Sequence, residues 1–475
     1  MLPDASTAPA DFVWGVATSA YQIEGATTAD GRGEGIWDRF CATPGKVRNG
    51  DTAEIACDFF HRYRDDIALM SELDVDAFRF SISWPRVQPA GRGRVNTRGL
   101  DFYDRLVDEL LGAGIEPWVT LYHWDLPIAL EEQGGWPARA TADAFAEFTQ
   151  VVAARLGDRV GHWLTHNEPW CTSWLGYGLG EHAPGTACRR SALAAAHHVL
   201  LSHGLAVDVL RRESPRDEIG IAVDLYPSHP ATARPDDETA AVLFDGMRNR
   251  WILDPLLRGE YPVDMVEHYG GDVPPIADSD LRRIAAPIDF LAVNNYSRAV
   301  VRAGSDGDAP VEVHVEGAEY TDMGWEAYPD GMRETLVRLH REYGVTALVV
   351  SESGAAYPDV RGHDGSVRDP ERTRYLQRYL AAVEDAIAEG APVRGFFVWS
   401  LLDNFEWSFG YWRRFGLVYV DYPTLERVPK ASFSWYRDRI AAARAGAPRS
   451  TSSPVSATSA ADGPLTAAAR AAVSG

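Results

Sequence analysis

Lysine is almost absent from this chain of 475 residues, in which Lys46 and Lys430 are the only examples. Arginine carries the rest of the positive charge, and the 68 acidic residues exceed the 46 basic ones, which gives a formal net charge of -22. Basic runs are absent as well. Because such a surface repels nucleic acid and anionic membranes, we expect neither as a partner and favour a neutral or cationic small molecule.

Cysteine is also scarce, with four residues in the whole chain. Cys41, Cys57, Cys171 and Cys188 form no CxxC pair, and no histidine stands beside them at the spacing of a zinc site. We therefore predict four buried, reduced thiols rather than a metal centre. No glycine-rich phosphate-binding loop follows a predicted strand, so no cofactor is expected.

Long hydrophobic runs are missing too, since no stretch approaches the ~18 apolar residues of a membrane span. The segment from Met1 to Asp11 has neither the basic start nor the apolar centre of a secretion signal. We expect a cytoplasmic protein without a membrane partner. The sequence gives no indication of the oligomeric state.

What the chain does contain is an alternation of short apolar runs with longer helical patterns. This alternation is typical of βαβ units around a parallel sheet, and eight repeats favour a closed barrel over an open sheet. The sequence therefore predicts an α/β fold, a single (β/α)8 TIM barrel over residues 1–445. The predicted strands are Phe12 to Ala17, Ala77 to Ile82, Pro117 to Tyr122, His162 to His166, Ile219 to Leu225, Phe290 to Asn294, Ala347 to Ser351 and Val393 to Trp399.

The helical patterns carry end signals, as in the helix from Thr141 to Leu156, which we predict to start at a threonine cap and to stop at Gly157. A barrel needs about 250 residues, so roughly 200 remain for long βα loops around a deep pocket. Residues 304–316 are predicted to form a polar loop. Residues 446–475 are rich in Ala, Ser, Thr, Pro and Gly, which predicts a disordered tail.

Polar residues end several predicted strands, where the active site of a barrel lies. Glu168 and Glu352 each end an apolar strand, and Asn167 and Ser351 precede them with hydrogen-bonding groups. Cleavage of a glycosidic bond needs a proton for the leaving oxygen and a carboxylate for the sugar carbon. These two glutamates are therefore the candidate catalytic pair.

Several longer motifs point the same way, and together they extend from about Phe12 to Tyr436. In this order the motifs resemble family 1 of the glycoside hydrolases, the β-glucosidases. The segments that carry the resemblance are Phe12 to Gly15, Thr18 to Gly25, Phe78 to Arg86, Tyr122 to Pro127, Thr165 to Trp170, Ser351 to Gly354 and Trp399 to Trp407.

The resemblance implies a retaining β-glycosidase that releases a terminal β-D-glucosyl residue by double displacement. Glu168 would be the acid/base and Glu352 the nucleophile, with Arg79, Asn294 and Tyr296 as supporting residues. The substrate-binding positions that match the family are Gln22, His123, Trp124, Asn167, Trp325, Trp399, Glu406, Trp407 and Phe415.

Among these positions, Trp399 matches the platform on which the sugar stacks, Phe415 an aromatic that closes the pocket, and Trp325 the leaving-group side. Glu406 would repel a phosphorylated sugar, although Arg413 and Arg414 follow closely in the sequence. We therefore expect an unphosphorylated β-glycoside as substrate.

The chain departs from the family pattern at Ser353, Asn295 and Asp224, where the family usually has Asn, Tyr and Asn respectively. None of the three changes removes a catalytic group, but Asp224 leaves the aglycone preference open. Two alternatives remain: a β-galactosidase, β-fucosidase or transglycosylase with the same site, and a catalytically silent sugar-binding barrel.

Overall fold

The computed structural model describes residues 9, 11–305 and 309–446. The tail predicted for residues 446–475 lies outside the described residues, except for Gly446. The predicted domain boundary at residue 445 therefore stays a prediction.

Eight parallel strands close into a barrel in which each strand lies beside its neighbours in the sequence. The first strand closes it, because Ala17 pairs with Arg79 on one side and with Trp399 on the other. All eight predicted strands are confirmed, with small shifts at their ends. The strands are β1 (Val13–Ala17), β2 (Ala77–Ser81), β3 (Glu116–Tyr122), β4 (His162–Asn167), β5 (Glu218–Asp224), β6 (Phe290–Asn294), β7 (Leu348–Ser353) and β8 (Val393–Trp399).

Helices cover the outside of this barrel and connect its strands. In Thr97–Gly112, the buried Tyr103, Leu106, Val107 and Leu110 recur at the three- and four-residue spacing of one helix face. The longer helices are Phe59–Leu73, Thr97–Gly112, Arg139–Leu156, Arg189–Glu213, Pro235–Asp245, Asp330–Tyr343, Pro370–Ala388 and Ala431–Gly446. Shorter helices in the connections are Ala20–Ile23, Ile36–Ala42, Trp84–Val87, Ile128–Glu131, Trp251–Leu257, Val263–Tyr269 and Asp278–Ile284.

The threonine cap predicted for one helix is wrong. The helix starts at Arg139 with Ala138 in the cap position, and the Thr141 hydroxyl instead donates to the Gly135 carbonyl at 2.5 Å. Its end at Gly157 is confirmed. Thr141 therefore lies within the first turn, and its hydroxyl bonds the preceding loop instead of capping the helix.

One helix, Arg189–Glu213, is long and apolar enough to cross a membrane by length and composition alone. Yet 78% of the most apolar 18-residue segment of this helix is buried inside the protein. It packs along Arg139–Leu156 and the turn after β4, as a core helix does. The cytoplasmic location and the absence of a membrane partner stay predictions.

The interior of the barrel is filled with side chains below the site. Trp118 lies 5.0 Å from the Phe397 ring and 5.3 Å from the Phe290 ring, measured between centroids. A Cβ added at Gly15 would lie 2.3 Å from the Phe397 ring, so this strand position admits only glycine. The packed layer forms a floor, and a ligand can enter only from the carboxyl ends of the strands.

The connections add two small sheets at the edge of the barrel. Ser228–Pro230, Ala299–Arg302 and Val311–Glu312 form one sheet in the loops after β5 and β6. Val418–Asp421 and Glu426–Pro429 form an antiparallel hairpin after β8. The predicted polar loop at 304–316 therefore contributes a short strand among its described residues.

The prediction of four buried cysteines is correct for Cys41, Cys57 and Cys171 and wrong for Cys188, which is exposed. Cys188 precedes the helix Arg189–Glu213, and its position on the surface follows from its place in a loop.

Candidate active site

A cavity of about 580 Å³ opens at the carboxyl ends of the strands and brings most of the predicted site together. Gln22, Arg79 and Asn294 do not line it and lie behind its wall, each at most 1% exposed. The predicted residues that line it are His123, Trp124, Asn167, Glu168, Tyr296, Trp325, Glu352, Trp399, Glu406, Trp407 and Phe415.

Glu352 lies near the end of β7, between a cation and a phenol. Arg79, on β2, donates from Nη1 to Glu352 Oε1 at 2.5 Å, and the Tyr296 hydroxyl donates to Oε2 at 2.7 Å. Burial raises the pKa of Glu352, while the Arg79 charge and the Tyr296 hydrogen bond favour the ionised form and oppose that rise. Both carboxylate oxygens thus have a donor that stabilises negative charge.

Glu168, directly after β4, has a different environment. Its Oε1 accepts a hydrogen bond from Asn294 Nδ2 at 2.7 Å, and the Cys171 thiol also hydrogen-bonds the carboxyl group. Among the described residues, no arginine or lysine forms an ion pair with Glu168. Burial raises the pKa of Glu168 well above its usual range, and the charges of Asp224 and Glu352 add to the rise. Of the two glutamates, Glu352 therefore ionises first and Glu168 retains its proton.

The backbone holds Glu168 in the left-handed region, with φ of 51°. Its N–H donates to the Ala222 carbonyl at 2.9 Å, and its own carbonyl accepts from Thr172 at 3.1 Å. A left-handed non-glycine residue costs on the order of 1 kcal/mol, so it persists only when neighbouring contacts fix it. Here β5 and the following turn direct the carboxyl group toward the cavity.

A hydrogen-bond network behind the wall links the two glutamates. Asn167 Oδ1 accepts from Arg79 Nη2 at 2.6 Å and from Asn294 Nδ2 at 3.1 Å. The Ser351 hydroxyl donates to Asn294 Oδ1 at 2.7 Å. Arg79 and Asn294 therefore fix the positions of both carboxyl groups without lining the cavity.

Glu406 is the third carboxyl group in the cavity. Burial, together with the Glu352 charge, raises its pKa to about 8. Gln22 Nε2 donates to Glu406 Oε2 at 3.4 Å and more closely, at 2.9 Å, to the Phe405 carbonyl. Gln22 thus supports the loop that carries Glu406.

Aromatic rings form much of the remaining wall. The His123 ring lies 5.7 Å from Trp399 and 6.0 Å from Trp407, nearly parallel to both. The Trp124 Nε1 donates to the Asn167 carbonyl at 3.0 Å, which attaches the β3 loop to the end of β4. Burial lowers the pKa of His123 well below its usual range, so it faces the cavity as a neutral ring.

Three further aromatic rings that line the cavity lie beside one another. Trp325 lies 5.2 Å from the Tyr296 ring and 6.3 Å from Phe415, on the loop that follows the small sheet. Sequence reasoning missed Arg248 and Glu312, which also line the cavity. Arg248 belongs to the π-helical turn Gly246–Arg250, far in the sequence from any strand of the barrel, and no signal in the sequence marks it.

The departures from the family pattern have local partners. Asn295 donates from Nδ2 to the Leu225 carbonyl at 2.8 Å, which joins the loops after β5 and β6. Ser353 is buried at the end of β7, and a Cβ on the next residue, Gly354, would lie 1.8 Å from the Trp399 carbonyl oxygen. Asp224 pairs with Arg248.

A thiol and two carboxylates also come together here: single ligand-type atoms of Glu168, Cys171 and Asp224 lie within 4.8 Å of one another. Asp224 is already bound to the Arg248 guanidinium in an ion pair. We therefore assign no metal to this group.

A barrel with two buried carboxyl groups in different environments at the carboxyl ends of its strands has the arrangement that a glycoside hydrolase needs. The glycosyl hydrolase family 1 model matches residues 4–445. The chain belongs to this family.

Relatives and solved structures agree with this assignment. Beta-glucosidase A of Acetivibrio thermocellus is 47% identical over 439 residues, which cover 91% of this chain and 98% of that protein. A bifunctional β-D-glucosidase/β-D-fucosidase of Bifidobacterium breve is 46% identical and covers 91% of this chain and 98% of its own. The structure of a family 1 β-glucosidase from Thermotoga maritima has a TM-score of 0.90 at 43% identity and covers 92% of this chain and 98% of that one.

Proposed function

We propose that this glycoside hydrolase releases terminal β-D-glucosyl residues from oligosaccharides or glycosides with retention of configuration. Glu168 is the acid/base and Glu352 the nucleophile. The observation that carries this proposal is the contrast between the two carboxyl groups, since a cation and a phenol stabilise Glu352 as an anion, whereas burial and acidic neighbours favour the protonated form of Glu168.

In the first step, the Glu352 carboxylate attacks the anomeric carbon while the Glu168 proton passes to the glycosidic oxygen, which leaves as an alcohol. This forms a glycosyl ester on Glu352 and leaves Glu168 ionised. In the second step, Glu168 takes a proton from water, and the water oxygen displaces Glu352 from the anomeric carbon. Two inversions give net retention, and both glutamates regain their starting states.

The glycone, which is the sugar unit released from the substrate, occupies the inner part of the cavity. Glu406 and Asn167 offer hydrogen-bonding groups to its hydroxyls, and Trp399 offers a ring face. Behind this wall, Gln22 supports Glu406.

An unphosphorylated sugar fits this wall better than a phosphorylated one. Arg414 is occupied, because Nη1 donates to Asp403 at 2.7 Å and to the Val420 carbonyl at 3.0 Å. The Arg413 guanidinium lies 3.8 Å from the Asp322 carboxylate and over the face of the Phe409 ring. With Glu406 facing the cavity, a phosphate group would meet a carboxyl group instead of a free cation.

The glucoside preference over fucoside or galactoside is part of the proposal. The names of several relatives support glucose, and the Bifidobacterium breve relative supports β-D-fucoside as a second glycone. Comparison of kcat/KM on aryl β-glucoside, β-fucoside and β-galactoside tests this preference, which is wrong if the glucoside is clearly the poorest. A silent sugar-binding barrel would show tight binding and no turnover on any of the three.

The mechanism is tested by following hydrolysis of p-nitrophenyl β-glucoside by NMR and recording the anomer released before mutarotation. We expect β-glucose first. Initial α-glucose would mean inversion and would refute the double displacement. Glu352→Ala, purified in the same way, is the control that attributes the hydrolysis to this site.

A further inference from the structure

A third carboxylate lies beside the proposed acid/base, on the leaving-group side of the cavity. Asp224 ends β5, and one of its oxygens lies within 4.8 Å of an oxygen of Glu168. It is 4% exposed, so water screens this pair little. An uncompensated pair of buried anions at this separation would be costly, so one of them must be neutralised.

Burial raises the pKa of Asp224, and the Arg248 charge opposes this rise and favours the ionised form. Arg248 Nη2 binds Asp224 Oδ2, and the guanidinium lies 3.7 Å from the centre of the Trp170 ring and 4.7 Å from that of Tyr226. The Cys171 thiol donates to the same Asp224 oxygen at 3.4 Å. The ion pair therefore fixes a negative charge next to Glu168 while the guanidinium is held against the two rings.

We propose that Asp224 is a positioning residue for catalysis, which keeps Glu168 protonated for leaving-group departure, and that Arg248 keeps Asp224 charged. The inference rests on the proposed acid/base role of Glu168. An asparagine at this position, as the family often has, would supply the same shape without the charge.

The other charged and titratable groups around Glu168 come from several elements. Glu352 and its partner Arg79 lie across the cavity, Tyr296 follows β6, Tyr226 follows β5, and Cys171 starts the turn after β4. Glu352 acts on Glu168 in the same direction as Asp224 but is itself paired with Arg79. Substitution of Asp224 therefore removes one of the two negative charges that raise the pKa of Glu168 and leaves both catalytic glutamates in place.

The test is the pH profile of kcat/KM on an aryl β-glucoside with a poor leaving group. The alkaline limb reports loss of the Glu168 proton. Asp224→Asn removes a negative charge and leaves Arg248, so we expect the limb to move down by about one pH unit or more. Arg248→Gln removes the cation that opposes protonation of Asp224, so we expect Asp224 to lose its charge and the limb to move down as well, by less than in Asp224→Asn, which keeps the cation.

A downward shift in both variants, larger in Asp224→Asn, is the signature of an electrostatic role. A merely structural role would lower kcat/KM without moving the limb, and that result, or an upward shift in either variant, would overturn the proposal. Asp254→Asn is the matched control, because Asp254 is buried and bound to the Tyr343 hydroxyl at 2.7 Å outside the cavity. The alkaline limb of the Asp254→Asn variant should stay at the pH of the wild type.

A second variant distinguishes failure of the proposed acid/base role of Glu168 from failure of the role of Asp224. Glu168→Gln, measured on an activated aryl glucoside, should lose the alkaline limb altogether. A limb that persists in Glu168→Gln means that another group is the acid, whereas a limb that disappears there but does not move in Asp224→Asn overturns only the role of Asp224. Thermal unfolding of each variant verifies the fold, and Arg248→Gln carries the test if Asp224→Asn does not fold.

Discussion

Arg79 and Glu352 form an ion pair of 2.5 Å whose side chains are 1% and 4% exposed. The pair joins β2 to β7 across the barrel interior, and the same guanidinium binds Asn167 beside Glu168. A single cation thereby favours the anionic form of one glutamate and positions the segment that carries the other.

Arg79→Met should raise the pKa of Glu352, because it removes the cation that stabilises the anion. The acid limb of kcat/KM should move to higher pH, and kcat/KM at its maximum should fall roughly 100-fold or more, because the nucleophile loses the partner that positions it. Arg427→Met is the control, since Arg427 pairs with the buried Asp66 away from the cavity. An unchanged acid limb in Arg79→Met would contradict the pairing argument.

Glu352→Ala should lower kcat by a factor on the order of 10⁴ or more, because no covalent intermediate can form. Azide or formate can enter the vacated space and attack the anomeric carbon once, so activity should partly return and the product should have inverted configuration. NMR of the glycosyl azide identifies the anomer. A correctly folded variant without rescue by either anion would argue against Glu352 as nucleophile.

Glu168→Ala should slow substrates with poor leaving groups far more than activated aryl glycosides, because only the former need a proton to depart. The measurement is kcat/KM across a series of aryl β-glucosides of decreasing leaving-group pKa. Glu131→Gln is a matched control, since Glu131 is also hydrogen-bonded, to the Tyr177 hydroxyl at 2.5 Å, but does not line the cavity. Equal losses across the series would exclude the acid role.

Glu406→Gln should weaken recognition of the sugar without affecting the chemistry of the glutamate pair. A site that hydrogen-bonds a substrate hydroxyl discriminates strongly against substrates in which that hydroxyl is displaced. We therefore expect kcat/KM of the variant to fall roughly 10- to 100-fold on the β-glucoside and less on the β-galactoside. The ratio of the two specificity constants is the measurement. A ratio equal to that of the wild type would mean that Glu406 does not contact the distinguishing hydroxyl.

The sequence predicts the barrel well because each strand is a short apolar run, buried on both sides, between helices with clear periodicity. Glu168 and Glu352 are predictable for a related reason, since both follow such runs at the catalytic end of the barrel. Arg248 is not predictable, because the π-helical turn that carries it reaches the cavity from between helices. The position of Gln22 behind Glu406 is not predictable either, since a motif match does not say whether a residue lines the cavity; its substrate-binding role stays a prediction.

Lys430, one of the two lysines in the chain, is fully buried just before the last helix of the barrel. Its Nζ donates to Asp359 Oδ2 at 2.5 Å and to Asp403 Oδ1 at 2.7 Å. Asp359 and Asp403 also bind Arg372 and Arg414 respectively, so the lysine joins the loop after β7 to the loop after β8. Removal of the ammonium group would leave two buried carboxylates short of a partner.

Lys430→Met should therefore lower the free energy of unfolding by about 3–5 kcal/mol, the range for breaking a buried ion pair. Lys46→Met, at the other lysine, should change it by less than about 1 kcal/mol, because Lys46 is exposed. Denaturant unfolding monitored by tryptophan fluorescence and by circular dichroism measures both variants against the wild type. Equal stability of the two variants would mean that the aspartates find other partners. The Lys430 network would then not be what joins these two loops.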